Sequence, residues 1–463
     1  MDPGLEHLAS RSLWLDGIRS SLRARPALDG DLSVDVAVVG AGFTGLWTAY
    51  ALLEREPDLR VAIIDREHVG YGASGRNGGW ASALFAGSRA LMDRLGGAEA
   101  VVAHHRAMVG AIDDIETTCQ REGIDARFLR GGTLTVSRNP AQDRRVLAGV
   151  DEDRRWGLGT EHSIVEDAAS CGQRIRVAGT RLGVFTPHCA RVDPARLVTG
   201  LADALEARGA MIHERTRALD VKPGRVVTEH GTIRAGTVVL ATEAWTATLP
   251  GRRRHLIPLY SLMIATEPLD EATWEQIGWS GAETLTDGRR LLIYAQRTAD
   301  GRIAFGGRGA PYHFGSRITP AFDRDPSVFD GLQRSLVEMF PAVSAATITH
   351  RWGGPVGVPR DWESSVGITS DRRLAHAGGY VGDGVTTTNL AGRTLAELIL
   401  GLDTERTRLP WVGHRLRRWE PEPLRWIGVR ALGGIARSAD RSEARRLREA
   451  RLRGRILDAF TAH

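Results

Sequence analysis

The stretch VVGAGFTGLWTAYALLEREPDLRVAIIDRE, Val38 to Glu67, constrains this chain more than any other. Val34, Val36, Val38 and Val39 form a β-branched run suited to a buried parallel strand. Gly40, Gly42 and Gly45 follow at GxGxxG spacing. A helix is expected from Thr44 to Glu56, stopped by Pro57, and a second strand from Leu59 to Asp65. Gly40 permits the tight turn, Gly42 lets backbone approach a pyrophosphate, and Gly45 lets the helix close on the strand. The helix start adds N–H groups and partial positive charge. Asp65, twenty residues beyond Gly45, stands where a carboxylate meets ribose hydroxyls and disfavours a 2′-phosphate. Phe43, Thr44 and Arg66 flank these positions and join the expected dinucleotide site. The competing reading, a glycine-rich turn in another βαβ fold, does not require strand, helix, second strand and acid together.

A second block separates a travelling nicotinamide from a resident flavin. VGYGASGRNGGW, Val69 to Trp80, follows the second strand directly. A flavin's pyrophosphate, ribityl chain and ring edge need backbone donors and small side chains. Ser74, Arg76 and Asn77 supply hydrogen bonds, while Gly72, Ala73, Gly75, Gly78 and Gly79 permit close approach. Late in the chain, YVGDGVTTTNLAGRTLAELI gives another glycine-rich helix start, with a helix from about Thr386. Such an N-terminus stabilises negative charge at N1 and O2 of a reduced isoalloxazine. TVVLATEAW, Thr237 to Trp245, reads as a buried strand ending in small residues.

These blocks, with VDPARLVTGLA, RIAFGGRGAPY and RWGGPVGVPRDWESSVG, span most of residues 33 to 403. The chain resembles the FAD-dependent D-amino acid oxidase superfamily, the group with glycine and sarcosine oxidases, and within it the γ-glutamylputrescine oxidase-like branch. The resemblance implies an α/β (α+β) fold: a Rossmann-like FAD-binding domain with an inserted substrate domain on a mixed, largely antiparallel sheet, plus a helical C-terminal tail. It implies hydride transfer from the carbon beside an amine to flavin N5. The imine then hydrolyses to an aldehyde or keto product plus ammonia or an amine. Oxidase members reoxidise the flavin with O2, giving hydrogen peroxide. It also implies FAD contacts at Gly40, Gly42, Gly45 and Asp65, at the Gly72–Gly79 loop, at Ala218, Ala241, Thr242 and Trp245, and at Gly382, Gly384, Val385 and Thr386.

The chain departs from some relatives. It lacks the Cys near GGPVGVPRDW and the His near GASGRN that carry covalent flavin, so non-covalent FAD is expected. The lysine that assists O2 in sarcosine-oxidase-type relatives has no counterpart: Lys222, in DVKPGR, reads as a surface turn. The acceptor is therefore O2 or another oxidant. For the substrate, Arg297 and Arg308 lie on the expected substrate sheet, where a guanidinium suits a carboxylate or phosphonate tail. Tyr260 and Trp352 are candidates to shape the pocket; the plain alternative is a core aromatic. His104 and His105 lack further ligands at metal spacing, so no metal is expected.

At 463 residues the chain exceeds one ordinary core. The expected division is an N-terminal segment, 1–32; a discontinuous FAD-binding domain, 33–100, 190–255 and 353–403; a substrate domain, 101–189 and 256–352; and an Arg-rich helical tail, 404–463. No apolar run approaches the ~20 residues that span a bilayer. Three cysteines form no disulfide framework or CxxC pair, which fits a reducing cytoplasm. Net charge is only +5. Acids interrupt the Arg-rich tail, which reads as a solvated cover over the body rather than a nucleic-acid or lipid patch. The expected partners are a small amine and an electron acceptor; oligomeric state stays open. An NAD(P)H-dependent monooxygenase would need a second nucleotide fingerprint, which the sequence lacks. A non-catalytic flavoprotein acting through the tail is the remaining alternative.

Overall fold

Strand Leu32–Val39 sits at the centre of the first of two eight-stranded sheets in this computed structural model, which describes residues 3–85, 87–307, 309 and 312–461. It pairs in parallel with Val61–Ile64 on one side and Thr232–Leu240 on the other. Met211–His213 extends the parallel set beyond Val61–Ile64. The hairpin Ala218–Lys222 and Arg225–Thr228 joins the opposite edge. Leu374–Gly378 lies parallel to the end of Thr232–Leu240, and Ser365–Ile368 folds back on it. Val34, Val36, Val38 and Val39 are all buried, as a strand covered on both faces requires.

Helix Phe43–Arg55 follows the fingerprint turn and packs with Gly384–Leu400, Arg89–Arg121 and Pro194–Ala207 over one face of this sheet. Asp193 caps Pro194–Ala207 by accepting the N–H groups of Ala195 and Arg196 at 3.0 and 3.1 Å.

The second sheet runs in the order Ile348–Val358, Ile257–Thr266, Ile303–Gly307, Ile293–Arg297, Thr284–Asp287, Thr133–Ser137, Leu182–Thr186 and Ile164–Asp167. Its pairs are antiparallel except Thr284–Asp287 with Thr133–Ser137, so it is mixed and largely antiparallel. Two other segments differ from the expected division. Residues 101–121 lie on the first sheet, where Met108, Ile112 and Ile115 share a core with Leu46 and Leu53. Strand Ile348–Val358 carries the second sheet past residue 352. The strand expected from Thr237 to Trp245 stops at Leu240, because Glu243 adopts φ 42° and opens a short 3-10 turn. The tail forms helices Leu424–Arg446 and Arg451–Thr461, preceded by largely non-helical chain. No described helix is long and apolar enough to cross a membrane.

Candidate active site

The parallel strands of the first sheet end at one place. Gly40, Asp65 and Ala241 follow three adjacent strand ends directly and open onto a cavity of about 1710 Å³. Ligands of open α/β sheets bind at such carboxyl ends. The cavity continues to the second sheet, where Tyr260, Ser261 and Tyr294 form its wall.

Backbone approach is tight throughout. Gly40 has φ 115°, and a Cβ there would strike the Ala241 carbonyl. A Cβ on Gly45 would strike the Gly40 carbonyl and come 2.9 Å from Val38 Cγ1, so this glycine closes helix on strand rather than facing the cavity. Asp65 accepts the N–H groups of Ala41 and Glu67 at 2.8 and 2.9 Å, and burial raises its pKa to about 6. Ser74 Oγ accepts the Phe43 N–H at 2.8 Å, tying the glycine-rich loop to the first helix. Asn77 folds that loop: its amide donates to the Ala73 and Ser74 carbonyls, and its Oδ1 accepts the Gly79 N–H at 2.8 Å.

Of the residues expected at the cofactor, Gly40, Gly42, Phe43, Thr44, Asp65 and Arg66 line the cavity. So do Gly72, Ala73, Ser74, Arg76, Asn77 and Gly78 from the loop, and Ala218, Ala241, Thr242 and Trp245 from the strand ends. Gly382, Gly384, Val385 and Thr386 complete it at the last helix. Gly45, Gly75 and Gly79 stand behind this surface. A Cβ on Gly75 would strike the Gly70 carbonyl, and one on Gly79 would strike Gln296 and the Val192 carbonyl.

The substrate candidates divide. Tyr260 borders the cavity, but its ring packs in the core with Leu262 and Ile264 and its hydroxyl is buried, which pushes the hydroxyl pKa up. Arg297 does not border it: strand alternation puts it on the face of Ile293 and Ala295, opposite Tyr294. Its guanidinium donates to the Trp279 carbonyl at 2.5 Å and lies 4.2 Å from the Trp274 ring centre. Trp352 stands behind the loop and donates to the Arg76 carbonyl at 2.9 Å. Arg308 lies outside the described residues. Arg76 is buried and ion-paired with Asp323 at 3.1 Å, so its charge serves the link between the sheets as well as the cavity.

Three features escaped sequence reasoning. Glu243 lines the cavity and accepts the N–H groups of Gly357, Gly379 and Tyr380 at 2.8, 3.2 and 3.2 Å. Burial lifts its pKa to about 7 against these donors. The N-terminal segment braces the loop: Ser12 Oγ donates to the Gly75 carbonyl at 2.7 Å, and Trp14 Nε1 to the Asn77 carbonyl at 2.8 Å. The tail supplies a wall, including Leu424, Arg425, Val429 and Ala436. No local signal announces the first two; the third had a weak one in the apolar spacing within the tail.

The chain suits a bound FAD on its own geometry. Two helices, Phe43–Arg55 and Gly384–Leu400, begin at the cavity with no cap from the side chain of their own N-cap residue. Thr386 Oγ1 and Arg76 Nη2, both buried and lining the cavity, have no partner among the described residues. Neither Cys nor His is among the described lining residues.

Comparison with known proteins gives the same answer. Residues 35–398 match the family described as FAD dependent oxidoreductase, DAO. The chain is 32% identical over 410 residues to the probable oxidoreductase OrdL of Rhizobium meliloti, covering 85% of this chain and 89% of that protein. It is 30% identical over 392 residues to the gamma-glutamylputrescine oxidoreductase of Escherichia coli, covering 82% and 86%. The crystal structure of glycine oxidase from Geobacillus kaustophilus superposes with TM-score 0.68 at 21% identity, covering 83% of this chain and 100% of that one. The chain belongs to the FAD dependent oxidoreductase (DAO) family, with FAD as its cofactor.

Proposed function

We propose that this enzyme oxidises the C–N bond of a small amine or amino acid. The carrying observation is one cavity running from the fingerprint turn to Tyr260, Ser261 and Tyr294. Its volume of about 1710 Å³ leaves room for a substrate as well as the cofactor. The names of the relatives support an amine: besides gamma-glutamylputrescine oxidoreductase they include a glycine oxidase at 25% identity over 79% of the chain.

Bound FAD supplies a two-electron acceptor for the hydride on the carbon beside the nitrogen. The chain's own residues hold, orient and dry the reactants. Gly40, Gly42 and the N-terminus of Phe43–Arg55 meet the pyrophosphate, and Asp65 meets ribose hydroxyls. The N-terminus of Gly384–Leu400 brings partial positive charge to the same cavity. The Ser261–Tyr294 pair, whose hydroxyls are 2.7 Å apart, orients the substrate. Hydride transfer from a neutral amine needs no strong protein base, so the lining's task is to orient the carbon and shed water. The tail helix closes one side and excludes water.

A dehydrogenase passing electrons to an acceptor other than O2 is the second reading. It is favoured by Lys222, which lies outside the cavity lining, 63% exposed and paired with Asp220 at 3.2 Å.

The test is anaerobic mixing of the holoenzyme with a panel of amines and amino acids, followed by air. Bleaching of the flavin band by one compound is expected. Fast return of colour in air marks an oxidase, and slow return the second reading. Bleaching by NADH and by no amine overturns the proposal.

A further inference from the structure

Away from the cavity, the fold gathers three imidazoles. His105 lies on helix Arg89–Arg121, His162 in the loop before strand Ile164–Asp167, and His188 in the turn between Leu182–Thr186 and Cys189–Arg191. His105 Nε2 stands 3.3 Å from His162 Nδ1, which stands 2.7 Å from His188 Nε2. One nitrogen from each ring falls within 4.8 Å of the others, and all three residues are half-buried. None lines the cavity.

Hydrogen bonding alone serves this arrangement badly. A neutral imidazole has one donor and one acceptor nitrogen, yet His162 Nδ1 faces two ring nitrogens at once. A cation takes a lone pair from each ring. Zinc binds imidazole at about 2.0–2.1 Å in tetrahedral geometry, which sets neighbouring nitrogens roughly 3.3 Å apart. The His105–His162 pair already has that spacing. The His162–His188 pair needs to open by less than about 1 Å, a small ring rotation for half-buried side chains. The outer contact of a metal ligand is present too: His162 Nε2, its far nitrogen, lies 3.4 Å from the Glu161 carboxylate.

We propose that His105, His162 and His188 bind one divalent transition-metal ion, of which Zn2+ is the type, at a site separate from the FAD cavity. Water completes the coordination. The ion clamps the His162 loop and the His188 turn onto helix Arg89–Arg121. The turn reaches the cavity wall, because the His188 carbonyl accepts the Ala83 N–H at 3.0 Å between lining residues Ser82 and Leu84. The site thus braces one edge of the active-site cavity without entering it.

The experiment treats the FAD-loaded protein with a chelator, then titrates it with Zn2+ and counts bound metal after desalting. Co2+ serves as a spectroscopic probe through its visible ligand-field bands. One ion per chain is expected, with a rise in unfolding temperature on zinc addition. His162→Ala and His105→Ala lose the ion and the temperature rise; Glu161→Gln binds about tenfold more weakly. Flavin content stays unchanged throughout. Circular dichroism checks each fold, and because His162 sits in a loop, its variant decides if His105→Ala unfolds. Substoichiometric metal in the wild type, or binding that survives His162→Ala, overturns the site.

Discussion

Glu243 Oε2 accepts the backbone N–H of Gly357 at 2.8 Å, so a carboxylate just past the end of an interior strand of the first sheet is bonded to a strand of the second. Its other oxygen accepts from Gly379 and Tyr380, before the last cofactor helix. Glu243→Gln presents an amide donor to backbone donors and leaves at least one unsatisfied, at a cost of about 1–3 kcal/mol. The pH dependence has a definite sign. Burial raises the folded pKa from 4.5 to about 7, so the native state binds this proton more tightly than the unfolded state. The group's contribution is full below pH 4.5 and is lost as pH rises through 7. Denaturant titrations across that window should show stability falling with pH, with a shallower slope in Glu243→Gln. Equal slopes would remove Glu243 from the account.

The fingerprint glycines should fail differently. A Cβ on Gly45 meets backbone at Gly40, which cannot retreat. Gly45→Ala therefore disrupts the packing of helix on strand and costs on the order of 3 kcal/mol or more. A Cβ on Gly42 meets only Ser74 Oγ, at 2.9 Å. Gly42→Ala should fold but retain FAD weakly, because Ser74 must leave the Phe43 N–H. Thermal unfolding and flavin content on purification separate the two.

Asp323 holds Arg76 and Arg11 together where the loop meets the second sheet. Asp323→Asn leaves two buried guanidiniums facing a neutral amide, and breaking such a pair costs about 3–5 kcal/mol. Loss of FAD at temperatures where the wild type keeps it is expected. A variant as stable as the wild type would mean that solvent compensates both charges.

Tyr294 and Arg297, on opposite faces of one strand, provide a matched pair of kinetic variants. Tyr294→Phe should lower kcat/KM roughly 10-fold or more while FAD content holds, since a hydrogen bond to substrate is worth about 1–3 kcal/mol. Arg297→Ala should leave KM unchanged and lower thermal stability, because its guanidinium caps the Trp279 carbonyl and covers Trp274. A large KM effect of Arg297→Ala would return it to the substrate site.

Removing residues 424–463 should open the cavity, since Leu424, Arg425, Val429 and Ala436 form part of its wall. Higher KM and faster FAD loss on dilution are expected. Unchanged turnover and flavin retention would instead assign the tail a role apart from catalysis.

The sequence by itself determined the cofactor half. Glycines at fixed spacing, an acid after the second strand and a glycine-rich late helix start are local requirements of backbone geometry, and they leave local marks. That Arg297 sits on a strand of the substrate sheet was legible too. Which face of that strand meets the cavity was not, and Arg297 fell on the core side because register depends on the neighbouring strands. Contacts between distant segments were decided only by tertiary structure. Glu243 meets Gly357, Trp14 meets Asn77, and His105 meets His162 and His188 through chain closure over tens to hundreds of residues. No spacing rule encodes such meetings, because each is fixed by how the two sheets and their helices pack.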